Sequence, residues 1–121
     1  MTTTPSVTIF HNPGCSKSRD ALTILEQRSI EHAVIDYLTA PPSRDQLESI
    51  IDRLIDPLPD LVRRTDERFA ELGLDPSAYQ DTGEIVELLL AHPELMQRPI
   101  VVGGGKAVIA RPGERVALVL P

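Results

Sequence analysis

Cysteine is nearly missing from this chain: Cys15 is the only one in 121 residues. A lone thiol excludes an internal disulfide and a cysteine-built metal cluster, and it fits a reducing, cytoplasmic setting. Long apolar runs are missing too, and none approaches the roughly 20 residues that span a bilayer. Met1-Thr2-Thr3-Thr4 lacks the features of a signal peptide. No membrane association is therefore expected. Lysine is scarce, and basic residues are outnumbered to a net charge of −6. That balance excludes generic nucleic-acid binding through a basic surface.

What is present is an ordinary globular composition, 41% hydrophobic and 25% charged. The length suits one domain, spanning residues 1–121, with a core that needs no staples. Against two lysines stand ten arginines. The guanidinium fork suits phosphate-like anions and stays charged when partly buried. Compositional bias of the source genome explains the same count, so only the positions of particular arginines can decide.

The organising stretch is Ser6-Val7-Thr8-Ile9-Phe10-His11-Asn12-Pro13-Gly14-Cys15-Ser16-Lys17-Ser18-Arg19. It starts as a β-type run, breaks at Asn12-Pro13-Gly14 and restarts as a helix from Ser16. Cys15 thus sits at a helix N-terminus, where unpaired N–H groups and the macrodipole favour negative charge. The thiolate is stabilised there, and the same N–H groups can hold an oxyanion beside the sulfur. The competing reading is a small buried structural cysteine. His11, Ser16, Lys17 and Ser18 give Cys15 a polar, partly cationic setting, which favours the reactive one.

Val7 to Phe10 reads as a buried strand. A helix from Ser16 carries Ala21, Leu22, Ile24 and Leu25 and ends near Arg28-Ser29; His32 to Tyr37 is a second strand. Together they make a βαβ unit with parallel strands. After Ala40-Pro41-Pro42, Ser43 and Gln46 form a capping box, with Leu47, Ile50, Ile51 and Leu54 at amphipathic helical spacing. The middle, Asp56 to Gln97, reads as wholly helical: a short segment around Leu61-Arg64, a helix with Phe69 and Leu72 that stops at Gly73, and one from Asp81 or Thr82 to His92-Pro93. Ile100-Val101-Val102 and Ala107-Val108-Ile109 flank a glycine-rich hairpin turn. Pro112 suits the first turn of a final helix, Gly113 to Leu120, with Val116, Leu118, Val119 and Leu120 apolar.

This order, βαβ, a helical insertion at about 43–97, then ββα, predicts an α/β thioredoxin-like (glutaredoxin-like) fold with a mixed four-stranded sheet. In that fold a proline opening the third strand packs opposite the cysteine, usually after a cis bond, and Pro99 occupies that place. A trans proline opening an edge strand is the commoner alternative.

The sequence resembles the glutaredoxin-coupled arsenate reductases. The resemblance rests on His11-Asn12-Pro13-Gly14-Cys15-Ser16-Lys17-Ser18-Arg19, Tyr37-Leu38 with Pro41-Pro42-Ser43-Arg44, Leu61-Val62-Arg63-Arg64, Glu71-Leu72-Gly73-Leu74, His92-Pro93, Arg98-Pro99-Ile100-Val101-Val102 and Ala110-Arg111-Pro112. Ser16-Lys17-Ser18, the compact hairpin and the end at Pro121 look most like its shorter, less characterised members. The resemblance implies that Cys15 attacks arsenate, that Arg63, Arg98 and Arg111 bind the oxyanion, and that His11 helps to lower the thiol pKa, with Ser16, Ser18 and Pro99 in support. The pattern of residues alone leaves Arg63 and Arg64 undecided. No metal and no bound cofactor are implied. Glutathione, or another low-molecular-weight thiol, would be co-substrate and glutaredoxin the redox partner, since a chain with one cysteine needs an external reductant.

Other functions of a thiol protein are separable by sequence. A low-molecular-weight phosphatase wants arginine six residues after the cysteine, where this chain has Ala21. A redox-linked regulator, resembling fold-related proteins that bind RNA polymerase, would switch through Cys-x-x-Cys; here Ser18 holds the second position. A general monothiol oxidoreductase without arsenate activity is the main alternative.

Overall fold

The computed structural model describes residues 7–120. The readings made on Met1–Thr4 and on the end at Pro121 lie outside them. The four strands are β1 (Val7–His11), β2 (His32–Asp36), β3 (Ile100–Gly103) and β4 (Lys106–Ile109). They lie in the order β2-β1-β3-β4. β1 runs parallel to β2 and antiparallel to β3, and β3 is antiparallel to β4. The sheet is mixed, as expected, with the βαβ unit forming its parallel half.

Strand residues alternate between faces, and that alternation sorts the core into two layers. Val7, Ile9, Val101, Val108 and Ala110 join Ala21, Leu25, Val116 and Val119 on one face. Phe10, Ile100, Ala107 and Ile109 join Tyr37, Leu47, Ile50, Ile85 and Leu89 on the other. Helix α1 (Ser16–Gln27) therefore covers the first face with the C-terminal segment. Helices α2 (Arg44–Arg53) and α4 (Thr82–Ala91), with the short α3 (Glu67–Glu71) nearby in sequence, belong to the second.

Local chemistry sets the ends of these elements. Ser43 and Gln46 make the expected capping box at α2. At the end of α1, Ser29 takes the left-handed conformation (φ 54°) while its N–H and that of Ile30 return to Glu26 and Leu25 carbonyls. This is a Schellman closure. Gly104 and Gly105, at φ 55° and 77°, form the tight β3–β4 turn. Gly113 has a different reason: a Cβ there would lie 3.1 Å from the Ala21 backbone nitrogen, so a side chain would push the C-terminal segment slightly away from α1.

Three expectations are corrected. Asp56 to Gln97 is not wholly helical: irregular backbone separates α3 from α4, two three-residue-per-turn segments (Leu58–Leu61 and Pro93–Leu95) flank the pair, and a Val62–Met96 bridge joins the two flanks. Pro57, Pro59, Pro76 and Pro93 interrupt the pattern before any longer helix can propagate. The final helix is a 3₁₀ segment, Gly113–Val119, with Pro112 just before its first turn. Its tighter pitch buries Val116 and Val119 and leaves Leu118 49% exposed. Finally, β1 runs one residue further than expected, to His11, while β2 stops at Asp36 and leaves Tyr37 just beyond it.

Candidate active site

The parallel pair β1–β2 ends with His11 opposite Asp36, and β3 enters beside Phe10 through Ile100. Three connections therefore meet at one end of the sheet: the loop after β1, the residue after β2 and the residues before β3. Ligand sites of α/β sheets form at this carboxyl end.

The loop after β1 is laced by its own polar groups. Asn12 Oδ1 accepts the Gly14 N–H at 2.9 Å, and the Cys15 N–H returns to the Asn12 carbonyl at 3.0 Å. Ser18, fully buried, accepts the Asn12 N–H on its hydroxyl at 3.3 Å and so ties the loop to α1. Arg19 donates to the Pro13 carbonyl at 3.2 Å. Cys15 is left as the N-cap of α1 with extended backbone (φ −105°, ψ 123°), and no acidic residue lies in the first turn to compete for its positive end.

Partial burial pushes the Cys15 thiol up, but the Ser18 N–H, the Arg98 guanidinium and the Lys17 N–H outweigh it and bring the pKa to about 7. Each stabilises the thiolate by donating toward sulfur or by opposite charge. His11, 6% exposed, is held below the ordinary imidazole range by burial, against the pull of Asp36. It is therefore neutral at pH 7 and brings Cys15 no charge; its Nδ1 is buried without a partner. Ser16 lies exposed at the first helical position.

Arg98 lies near enough to the sulfur to favour its thiolate form. Its Nη1 donates to the Tyr37 hydroxyl at 3.3 Å, and its Nε is buried without a partner. Burial lowers its pKa, but the neighbouring Cys15 and Tyr37 oxygen and sulfur more than offset this and raise it. The Arg98–Pro99 bond is cis and Pro99 is buried. Arg111 is exposed, and its Nη1 donates to the Arg98 main-chain carbonyl at 3.2 Å.

Arg63 is further away in its contacts: it pairs with Asp66 at 2.8 Å and shares with Arg111 a cleft of about 760 Å³ that neither Cys15 nor Arg98 lines. Among the sequence-predicted residues the structure thus groups Cys15, Ser18 and Arg98, adds Arg111 through Arg98, and brings Arg63 to Arg111's cleft. Its neighbour Arg64 is engaged otherwise, donating to the carbonyls of Pro59 (3.2 Å), Pro76 (3.0 Å), Ala78 (2.5 Å) and Tyr79. Tyr37 is the site residue that sequence reasoning missed. It read as the end of the second strand and as part of the Tyr37-Leu38 motif, and the one signal for a role was its phenolic hydroxyl. No cluster of three or more His, Cys, Asp or Glu suited to a metal occurs among the described residues, and no helix among them is long and apolar enough to cross a membrane.

A mixed four-stranded sheet with a helix-capping thiolate, opposed by an arginine that precedes a proline, defines a thioredoxin-like thiol protein with an anion-competent site. Comparison narrows that class. The ArsC family model matches residues 10–119. The arsenate reductase of Neisseria meningitidis (serogroup A, strain Z2491) is 41% identical over 96% of this chain and 99% of its own length. That of Rhizobium meliloti (strain 1021) is 40% identical over 96% and 82%. The solved structure of an arsenate reductase from Vibrio cholerae superposes with a TM-score of 0.85 at 36% identity, covering 98% of this chain and all of that one. The chain belongs to the ArsC family.

Proposed function

We propose that this chain is an arsenate reductase in which Cys15 is the nucleophile and Arg98, Arg111 and Arg63 receive the oxyanion. The single observation that carries the reading is the meeting of Cys15 and Arg98: a thiol brought to about pKa 7 at a helix N-terminus, beside a guanidinium that no carboxylate among the described residues neutralises.

In the reaction, the Cys15 thiolate attacks arsenic(V) and an arsenate oxygen leaves as water after protonation. The charge on the remaining oxygens grows against Arg98 and the positive N-terminal end of α1, which are fixed before the substrate arrives. Arg111 adds a second fork from the cleft side. Two electrons must then reach arsenic. A small external thiol, glutathione or its equivalent, attacks the arsenic of the Cys15 adduct and expels a second water. Another thiol then attacks that thiol's sulfur, which leaves as a disulfide and passes two electrons to arsenic. Water finally cleaves the Cys15–arsenic(III) bond and releases arsenite. The sum is arsenate plus two thiols giving arsenite, one disulfide and water. Cys15 is regenerated as thiolate, and glutaredoxin reduces the disulfide. A cytoplasmic location follows from the need for a reduced thiol pool.

The test is arsenate-dependent NADPH oxidation in a coupled assay, with the thiol and the glutaredoxin varied independently. Turnover that requires both arsenate and an added thiol, and is lost in Cys15→Ser, is expected. Equal turnover of simple mixed disulfides with no response to arsenate would overturn the reading in favour of a general monothiol oxidoreductase.

A further inference from the structure

We propose that Tyr37 is a positioning residue of this site: its phenolic oxygen orients the Arg98 guanidinium toward the Cys15 sulfur without cancelling its charge. The inference rests on the reading of Arg98 as the oxyanion ligand.

An arginine side chain has many rotamers to lose, so one that must meet a substrate in a fixed plane needs an anchor. The other arginines with ion pairs here are anchored by carboxylates: Arg44 by Glu87, Arg63 by Asp66, Arg68 by Glu71 and Glu94, and Arg115 by Asp56. Arg98 has none among the described residues. Its side-chain acceptor is instead the neutral Tyr37 hydroxyl, 3.3 Å from Nη1. A carboxylate in that place would repel both the thiolate and an arriving oxyanion. A hydroxyl fixes the plane of the fork and leaves the full positive charge for them.

The anchor is itself rigid. Tyr37 is completely buried and follows β2 directly, one residue after Asp36, which is paired with His11 at the end of β1. Its position is therefore referred through two hydrogen-bonded strands to the loop that carries Cys15. Packing alone is satisfied by phenylalanine; the hydroxyl, 61 residues from Arg98 in sequence, has a use only through its contact.

The test compares Tyr37→Phe, Arg98→Ala and the double variant. Two quantities are read: the pH midpoint for Cys15 alkylation by neutral iodoacetamide, and the arsenate concentration that half-protects Cys15 from it. Tyr37→Phe should raise the midpoint and weaken protection roughly tenfold, the scale of a hydrogen bond to a charged group. In the Arg98→Ala background the same change should add nothing. Replacing both tyrosines by 3-fluorotyrosine, which weakens the oxygen as an acceptor, should move both quantities in the same direction by less, with the ring in place. A wild-type profile in Tyr37→Phe, or effects that simply add in the double variant, would overturn the proposal while leaving the function intact. An Arg98→Ala protein with unchanged midpoint and protection overturns both together.

Discussion

Arg111 reaches across to hold the main-chain carbonyl of Arg98, its Nη1 3.2 Å from that oxygen. The two arginines are thus linked through backbone as well as through any shared ligand. Arg111 is placed in turn by a clamp on Ile109: Asp56 Oδ2 accepts the Ile109 N–H at 2.8 Å, and Arg115 Nε donates to the Ile109 carbonyl at 3.0 Å. Arg115 and Asp56 complete the clamp as an ion pair. The segment 54–56 that supplies Asp56 also runs along the outer edge of β4, where the Ile55 N–H meets the Ala107 carbonyl at 3.0 Å. Sheet edge, C-terminal segment and site are therefore mechanically continuous.

Arg98→Ala and Arg111→Ala should each lower kcat/KM for arsenate, Arg98→Ala by on the order of 10²-fold, as for loss of one fixed oxyanion donor. Because Arg111 also holds the Arg98 carbonyl, the double variant should fall short of the product of the two singles. Lysine at either position should recover only part of the loss, keeping charge without the fork. Full multiplicativity in steady-state kinetics would show that the Arg111–Arg98 contact carries no functional coupling.

Alkylation of Cys15 should follow a midpoint near its pKa of about 7, against roughly 8.5 for a free thiol. The sign is fixed by charge: below that pH the sulfur is protonated and slow, above it a thiolate and fast. Arsenate turnover should rise through the same range, and Cys15→Ser should show none, since a hydroxyl is barely ionised there. His11 titrates below its ordinary range because it is buried, so His11→Gln should move the midpoint far less than Arg98→Ala. A midpoint at or above 8.5 contradicts the activated thiol.

Much of this was legible in the chain because it rests on local chemistry. The break Asn12-Pro13-Gly14 before Cys15, the Ser43/Gln46 box and the Gly104-Gly105 turn each act within a few residues. Period-two alternation placed Ile9 and Phe10, or Ile100 and Val101, on opposite faces. What failed depends on distant partners. The region from Asp56 to Gln97 carries helix-like apolar spacing, but its prolines and the Val62–Met96 bridge decide its path. Arg63 and Arg64 are identical in type and adjacent, and their partners tell them apart: Asp66 for Arg63, the carbonyls of Pro59, Pro76, Ala78 and Tyr79 for Arg64. The use of Tyr37 likewise requires knowing where Arg98 lies.

Asp56→Asn should weaken the fold by about 1–3 kcal/mol, because it removes the charge that anchors Arg115 and loosens the acceptor for the Ile109 N–H. Urea denaturation should show a lower midpoint at unchanged slope. Below the transition, KM for arsenate should also rise, since Arg111 hangs from the clamped segment. A destabilised variant with wild-type KM would separate the clamp from the site.

Arg63 and Arg64 should divide cleanly into function and fold. Arg64 satisfies four main-chain carbonyls, including that of Tyr79, whose φ of 57° is unusual for a residue with a side chain and whose ring packs edge-on against Phe69. Arg64→Ala leaves those oxygens without their donor and releases the turn, for a cost of roughly 2–4 kcal/mol. Lysine, with its single ammonium, cannot span the same set and should restore less than half. Arg63 has one partner, Asp66, which already caps α3 by accepting the Arg68 N–H at 2.8 Å. Arg63→Ala should therefore change stability by less than about 1 kcal/mol, while KM for arsenate rises because a cation facing the cleft with Arg111 is gone. Measured at a temperature where both variants are folded, Arg64→Ala should keep a near-normal KM and Arg63→Ala should not. The reverse pattern would move the third oxyanion ligand from Arg63 to Arg64. Normal kinetics in both would leave Arg98 and Arg111 to bind the oxyanion by themselves.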